Sequence, residues 1–297
     1  MISVVMSAYN EKREELKKSV DSILNQTYKD LEIIIVDDNP KNEVIREYLS
    51  SLTDERVKVL YNEQNIGLVA SLNRALKYAT GEYIARMDAD DMSTSDRFEK
   101  QLKYLNDNNL DMIGSWMTLI DDSEDDKVIG KLEYPTTSES INKCLKYDSV
   151  MPHPTWLGKR EVFDKLNGYR NAKYCEDYDF LLRASYEGFK LGNIPEYCFK
   201  CRIRSNSVTR SNRSKQLLLS RYIGKNKNRI NDVTEKEMED FINSEKTQAE
   251  LKYFEHFDDI RAEFNKGNNK LINGLKLMTN KYFWIVRIQR LVFKYSK

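Results

Sequence analysis

Over the first hundred residues, short apolar runs alternate with segments of helical period, and few folds accommodate that order. Residues 2–7 (ISVVMS), 31–36 (LEIIIV), 57–61 and 83–87 read as strands. Most of them lack the polar alternation of a half-exposed strand, so they are expected to be buried on both faces. Between them, Leu16, Val20, Ile23 and Leu24 share one helix face, residues 43–52 form a polar helix, and residues 68–78 form an amphipathic helix closed by Gly81. This β-α-β-α-β-α-β order implies a Rossmann-like α/β fold: a mostly parallel sheet with right-handed crossovers and helices on both faces.

After residue 100 the pattern loosens. A helix at 97–106, a strand at 111–120, an acidic turn at 121–126 and a strand at 128–132 predict a hairpin added to the sheet, with the acidic turn as its solvated tip. Helices at 138–147, 161–166 and 177–187 flank the segment 151–160. From residue 211 the chain turns lysine-rich and helix-prone. Residues 1–210 are therefore expected to form the α/β domain, with halves 1–100 and 101–210, and residues 211–297 a basic helical C-terminal extension.

Composition narrows the class. With 40% hydrophobic and 11% aromatic residues, the chain has the core material of a globular protein. A net charge of +1 argues against a whole-chain polyanion binder, and no nucleic-acid recognition motif is present. The four cysteines (Cys144, Cys175, Cys198, Cys201) are too few for a disulfide framework, which fits a reducing, cytoplasmic setting. Cys198 and Cys201 stand three apart on an expected strand, so their thiols point to opposite faces rather than to one metal. No uncharged apolar stretch reaches the roughly 18 residues of a membrane-spanning helix, and the N-terminal run reads as a strand rather than a signal peptide.

In open α/β sheets, ligands bind beyond the carboxyl ends of the strands. There the sequence places Ser7-Ala8-Tyr9-Asn10-Glu11, then Asp37-Asp38, then Asp88-Ala89-Asp90-Asp91. Converging carboxylates repel one another. A divalent cation, Mn²⁺ or Mg²⁺, held by one or two carboxylates and phosphate oxygens, offsets that repulsion. A single Asp after a strand reads equally well as a turn former or helix cap, but two clusters and a Tyr together favour a nucleotide site.

These motifs occur in a fixed order: Val4-Val5-Met6-Ser7-Ala8-Tyr9-Asn10, Ser22-Ile23-Leu24-Asn25-Gln26-Thr27-Tyr28, Ile35-Val36-Asp37-Asp38-Asn39, Asn65-Ile66-Gly67-Leu68 and Asp88-Ala89-Asp90-Asp91. His153-Pro154-Thr155 and Glu176-Asp177-Tyr178-Asp179 with Leu182-Arg183 follow. The set resembles family 2 glycosyltransferases of the GT-A fold across about residues 1–210. The resemblance implies that Tyr9 and Ser7 border the nucleotide base, with Asn10, Glu11, Asn65, Gly67 and Ala89 lining the same pocket. It implies that Asp38 reads a uracil edge, Asp88 lies near the ribose, and Asp90 ligates the metal bridging the donor diphosphate. Asp177, beside Glu176, matches the general base of a single-displacement, inverting transfer. His153 lies near the acceptor side in the family's pattern, though a structural hydrogen-bonding role fits it equally well. Trp156 is a candidate acceptor platform, since aromatic faces stack on sugar rings, although an aromatic after a strand more often fills the core.

One position departs from the family pattern. Many relatives carry Arg-Ile-His after the last core strand, where this chain reads Arg202-Ile203-Arg204. An arginine cannot ligate a cation but can clamp a diphosphate. Arg204 and Arg210 are thus candidate diphosphate ligands, although a solvated strand edge explains the Arg202, Arg204, Arg210 cluster equally well.

The expected activity is transfer of a sugar from a nucleotide donor to a saccharide or lipid-linked acceptor in surface polysaccharide synthesis. A sugar-nucleotide pyrophosphorylase would need a Gly-rich loop after the first strand, and Ser7 to Lys12 contains no Gly. A phosphatase with a nucleophilic Asp pair would carry it after the first strand rather than the fourth. A non-catalytic carbohydrate-binding protein is disfavoured by the presence of both Asp90 and Asp177. The tail from 270 to 297 interleaves Lys and Arg with Trp, Phe, Ile and Leu and has no Asp or Glu. It fits a helix at an anionic membrane surface, or a helix packed on the domain.

Overall fold

The structure, a computed structural model, describes residues 1–123, 125–204, 212–266 and 269–295, the side chains at 286, 289, 290 and 293–295 excepted. Its first half alternates as the sequence predicts. Strands β1 (Ile2–Ala8), β2 (Leu31–Asp37), β3 (Val57–Tyr61) and β4 (Tyr83–Arg86) are linked by helices α1 (Arg13–Leu24), α2 (Glu43–Ser50) and α3 (Leu68–Tyr78). All four strands pair in parallel, in the order β3-β2-β1-β4, with Val4 opposite Ile33 and Ala85.

The second half adds strands of mixed direction. Beyond β4 the sheet continues through β8 (Leu157–Lys159), β6 (Met112–Ile120), β9 (Leu191–Arg202) and the two-residue β5 (Met92–Ser93). The β7 strand (Val128–Leu132) pairs with β6 as the expected hairpin. The short β5 and β8 were not legible, because two or three residues carry no periodicity.

Period two decides which side each side chain covers. Val5, Ile34, Val36, Leu60 and Ile84 face one layer of helices, with α3, α5 (Ser138–Cys144), α6 (Arg160–Lys165) and α7 (Glu176–Tyr186). Val4, Met6, Ile33, Ile35 and Ala85 face the other layer, with α1, α2 and α4 (Arg97–Asp107). Both sets are buried, so the apolar runs have no polar alternation to show.

Three local expectations are corrected. Gly81 does not cap α3, whose last cap is Ala79 in an extended conformation. A Cβ at Gly81 would lie 2.7 Å from the Ser3 amide nitrogen, so the glycine is needed where the chain passes β1. The acidic turn is no free hairpin tip: Asp122 pairs with Lys12, and Asp126 pairs with Lys18 and Arg202, drawing the turn onto α1. The composition boundary near 211 is not a packing boundary either. Leu219 and Ile223 of α8 (Arg213–Lys225) share the core cluster with Phe180 of α7. Beyond α8 come α9 (Glu235–Asn243), α10 (Glu245–Asn265), α11 (Lys270–Thr279) and α12 (Lys281–Tyr295).

One buried ion cluster fixes where α7 begins. Asp179 is fully buried and accepts from Arg183 Nε at 2.8 Å and Arg170 Nε at 3.1 Å. Arg183 also donates to the carbonyls of Leu166 and Gly168, and Arg170 to those of Ile230 and Val233. The carboxylate thereby joins α7 to the segments before and after it. Removing it strands buried positive charge. Asp179→Ala is expected to cost about 3 kcal/mol in urea denaturation, and a loss under about 1 kcal/mol would show that the cluster does not hold α7.

Candidate active site

The chain leaves β1 toward β2 and β3 on one side, and β4 lies on the other, so the strand order reverses between β1 and β4. The crevice at their carboxyl ends is the topological switch point where such sheets bind ligands. Ser7, half-buried, sits at the end of β1 beside Val36. After it, the Tyr9 amide donates to Glu11 Oε2 at 2.7 Å, and its carbonyl accepts from Asn39 and Asn42. Asn10 Oδ1 accepts from Asn39 Nδ2 at 2.7 Å. The backbone is held while the Tyr9 ring stays 42% exposed, which suits stacking on a flat ligand.

Asp38, only 3% exposed, gathers the loop before α3. Its Oδ1 accepts from Asn62 Nδ2 at 2.7 Å and the Ile66 amide at 2.8 Å, and its Oδ2 from the Gly67 amide at 2.9 Å. Asn65 Oδ1 also accepts from the Gly67 amide, and Gly67 has φ +84°, a conformation that favours glycine. A carboxylate offers about four acceptor directions, so Asp38 has one beyond these contacts.

At the end of β4, Arg86 is buried and donates to the Met87 carbonyl and to Asp88 Oδ1. Ser19 of α1 donates to the Asp88 carbonyl at 2.9 Å. Ala89 is 2% exposed with its methyl in the core, which leaves only its backbone to border the crevice. Asp91 is also buried and accepts from the Arg202 amide at 2.7 Å. Asp90 is the more open carboxylate, paired with Arg204 Nη2 at 3.1 Å, and the same guanidinium holds Glu15.

Arg202 is buried, donating to the Asp90 carbonyl at 3.1 Å and pairing with Asp126 at 2.6 Å. For Arg202 and Arg204, a solvated strand edge is therefore overturned. Arg210 lies outside the described residues.

The opposite wall is the first turn of α7, which carries Glu176 and Asp177. A helix N-terminus favours negative charge, yet burial wins here. Burial, then the neighbouring Asp177, pushes Glu176 up to about 7. Burial pushes Asp177 up to about 6, with Asp88 adding to the rise. Nearby Asp148 is also lifted to about 6 by burial and by Asp177. On the nucleotide side, burial and the charge of Asp88 raise Asp90 to about 6. Glu11 is raised to about 7, again chiefly by burial.

Of the two residues expected on the acceptor side, Trp156 is fully buried and donates Nε1–H to the Met151 carbonyl at 3.0 Å. No sugar ring can stack on it. His153 packs edge-on against Trp156, bonds the Tyr169 hydroxyl at 2.9 Å through Nε2, and is held well below its usual pKa by burial and the Arg86 charge. These contacts fit the structural hydrogen-bonding role that the sequence also allowed. Sequence reasoning missed Arg86, Glu15, Asp148 and Tyr169. Of these only Arg86 left a signal, as a cation inside an apolar strand.

Among the described residues no three His, Cys, Asp or Glu side chains converge as a ready-made cation cage. Asp90, with Asp88 near it, could supply carboxylate oxygens to a hard divalent cation whose shell phosphate oxygens complete. The excess of crowded negative charge at Asp90 fits such a group.

An acid whose folded pKa is raised is accommodated below its unfolded value, and that stability is lost as pH rises through the folded one. Glu176→Gln, uncharged throughout, is therefore expected to match the parent's stability near pH 4 and exceed it by about 1 kcal/mol at pH 8. Urea denaturation at the two pH values checks this, and equal stability at pH 8 would refute the desolvation of Glu176.

The family model "Glycosyl transferase family 2" matches residues 3–167. The glycosyltransferase MJ1057 of Methanocaldococcus jannaschii is 38% identical over 75% of this chain and 77% of its own. The Escherichia coli O-antigen biosynthesis glycosyltransferase WbnJ is 37% identical over 71% of this chain and 83% of its own. Among solved structures, the mannosyltransferase PcManGT of Pyrobaculum calidifontis, in complex with GDP-Man and Mn²⁺, superposes with a TM-score of 0.60 at 16% identity, over 99% of this chain and 85% of that one. That likeness shows the GT-A fold, and the sequence matches show the family. The chain belongs to glycosyltransferase family 2.

Proposed function

We propose that this enzyme is an inverting hexosyltransferase. It moves a sugar from a nucleoside-diphosphate donor, with uridine as the base, to a hydroxyl of a saccharide or lipid-linked acceptor during assembly of a surface polysaccharide. The observation that carries this reading is the pairing of two acidic walls: Asp88 and Asp90 after β4, and Glu176 and Asp177 at the start of α7. The charge of Asp88 acts on both members of the second pair.

The geometry supports the following roles. The exposed Tyr9 ring stacks on the base, and the remaining acceptor direction of Asp38 takes an N–H from its edge. Asp88 lies toward the ribose. Asp88 and Asp90 would hold a divalent cation which, when bound, neutralises charge developing on the leaving diphosphate. The Arg204 guanidinium adds a bidentate clamp on phosphate oxygens.

Asp177 removes the proton from the acceptor hydroxyl as its oxygen attacks the anomeric carbon from the face opposite the diphosphate, so the configuration inverts. Raised to about 6, it is a stronger base than an ordinary aspartate and still ionised at neutral pH. WbnJ's role in O-antigen biosynthesis supports a polysaccharide product, and the Mn²⁺ held by PcManGT supports the cation. Four free cysteines suit a reducing, cytoplasmic compartment.

Calorimetric titration of UDP, GDP and dTDP, with and without Mn²⁺, tests the donor side. UDP is expected to bind in a Mn²⁺-dependent way that Asp90→Ala weakens about tenfold or more. GDP preferred over UDP would refute the base assignment, and metal-independent binding would shift the diphosphate role to Arg204. On the acceptor side, Asp177→Asn is expected to lower kcat by about a hundredfold or more while leaving nucleotide affinity within about twofold. The parent's kcat should fall below about pH 6, as Asp177 takes up a proton. A comparable loss of nucleotide binding in the variant would contradict the role of Asp177 as base.

A further inference from the structure

Helices α11 and α12 pack on the rest of the protein by one face only. Leu277 and Tyr282 are buried with Phe254 and Phe257 of α10, and Gly274 lies against Phe264. The other faces remain apolar and open. On α11, Leu271, Ile272, Leu275 and Met278 are 79%, 55%, 55% and 48% exposed; on α12, Trp284 and Ile288 are 51% and 50% exposed. The spacings 271, 275, 278 and 284, 288 put each set on one stripe of its helix. Trp284 joins the stripes, because its indole N–H on α12 donates to the Met278 carbonyl at the end of α11, at 2.8 Å. The two exposed apolar stripes thus adjoin at Trp284, and apolar groups gathered on a surface in this way mark interaction sites.

The charge around this surface selects its occupant. Lys270, Lys276 and Arg287 are exposed beside it, and no Asp or Glu occurs between 270 and 297. Lys281 is spent on Glu250, at 2.9 Å, and does not count. A second copy docking by the same patch would set cations against cations, with no acid of this segment to answer them. An anionic headgroup layer answers all of them, while Trp284 and the aliphatic side chains enter the acyl boundary. No described helix is long and apolar enough to cross a membrane, so the contact is with its surface.

We propose that α11 and α12 form a two-helix platform that docks the enzyme on an anionic phospholipid surface, through Leu271, Ile272, Leu275, Met278, Trp284 and Ile288 and their flanking cations. The proposal stands independently of the donor and acceptor assigned above.

Co-sedimentation of the full chain with phosphatidylcholine vesicles, with and without phosphatidylglycerol, tests it. Binding is expected to the anionic vesicles and to weaken about tenfold or more in their absence or in Lys276→Glu/Arg287→Glu. Leu271→Ser/Leu275→Ser/Ile288→Ser, all at exposed positions, is expected to reduce binding about tenfold or more with an unchanged melting temperature. Failure to bind anionic vesicles, or equal binding to neutral ones, overturns the proposal. So does a dimer in light scattering that the serine variant splits, since the patch would then serve a second copy of the chain.

Discussion

The structure is organised around a concentration of like charge that the fold brings together. Parallel strands that all end at one sheet edge carry Glu11, Asp88, Asp90 and Asp91 to the same place, and α7 adds Glu176 and Asp177 across the crevice. Such a cluster survives only if cations are folded into it or if some of its members keep their protons. Both happen here. Arg86, Arg202 and Arg204 are drawn in from β4, from β9 and from just beyond it, and burial leaves Glu11 and Glu176 poised near 7.

The arginines explain why the second half of the sheet is built as it is. Arg202 can reach the Asp90 carbonyl and Asp126 only because β9 runs parallel to β6, whose hairpin partner β7 brings the acidic turn back over α1. Arg97 does similar work beneath the site. Fully buried, it donates to the carbonyls of Arg86 and Trp156 and so ties β4 to the segment leading into β8. The residues that support the acids are thus scattered from 86 to 204. Arg86 stands out as a cation in an apolar strand and Arg202 and Arg204 as a basic pair, but nothing local shows which acids they meet.

That scatter separates what the sequence reveals from what it hides. The alternation of the first hundred residues was legible because strands buried on both faces leave continuous apolar runs, and the acids were legible because strands point their ends at ligands. Trp156 was legible only as a preference, since an aromatic after a strand more often fills a core than lines a pocket, and its 0% exposure decides for the core. Ala89 carries a related ambiguity: it lies inside an acidic motif at the strand end while its own methyl packs in the core. The burial of Arg202 and the folding down of the acidic turn depend on each other, and neither partner shows in the sequence near the other.

The contact between Arg204 and Asp90 bears on how donor and cation arrive. In the structure, one guanidinium bridges Glu15 and Asp90, so each carboxylate is answered without any ligand. Under the proposed reading, an entering diphosphate competes for that guanidinium. Phosphate oxygens that draw Arg204 away leave Asp90 uncompensated in a buried acidic setting, unless a divalent cation takes its place. A cation arriving alone meets an Asp90 already paired. Under that reading each ligand would lower the cost of binding the other, and the coupling would be reciprocal, as any linkage of binding free energies must be. Replacement of the family's histidine by Arg204 need not abolish a role for the metal, because it changes what the metal must displace.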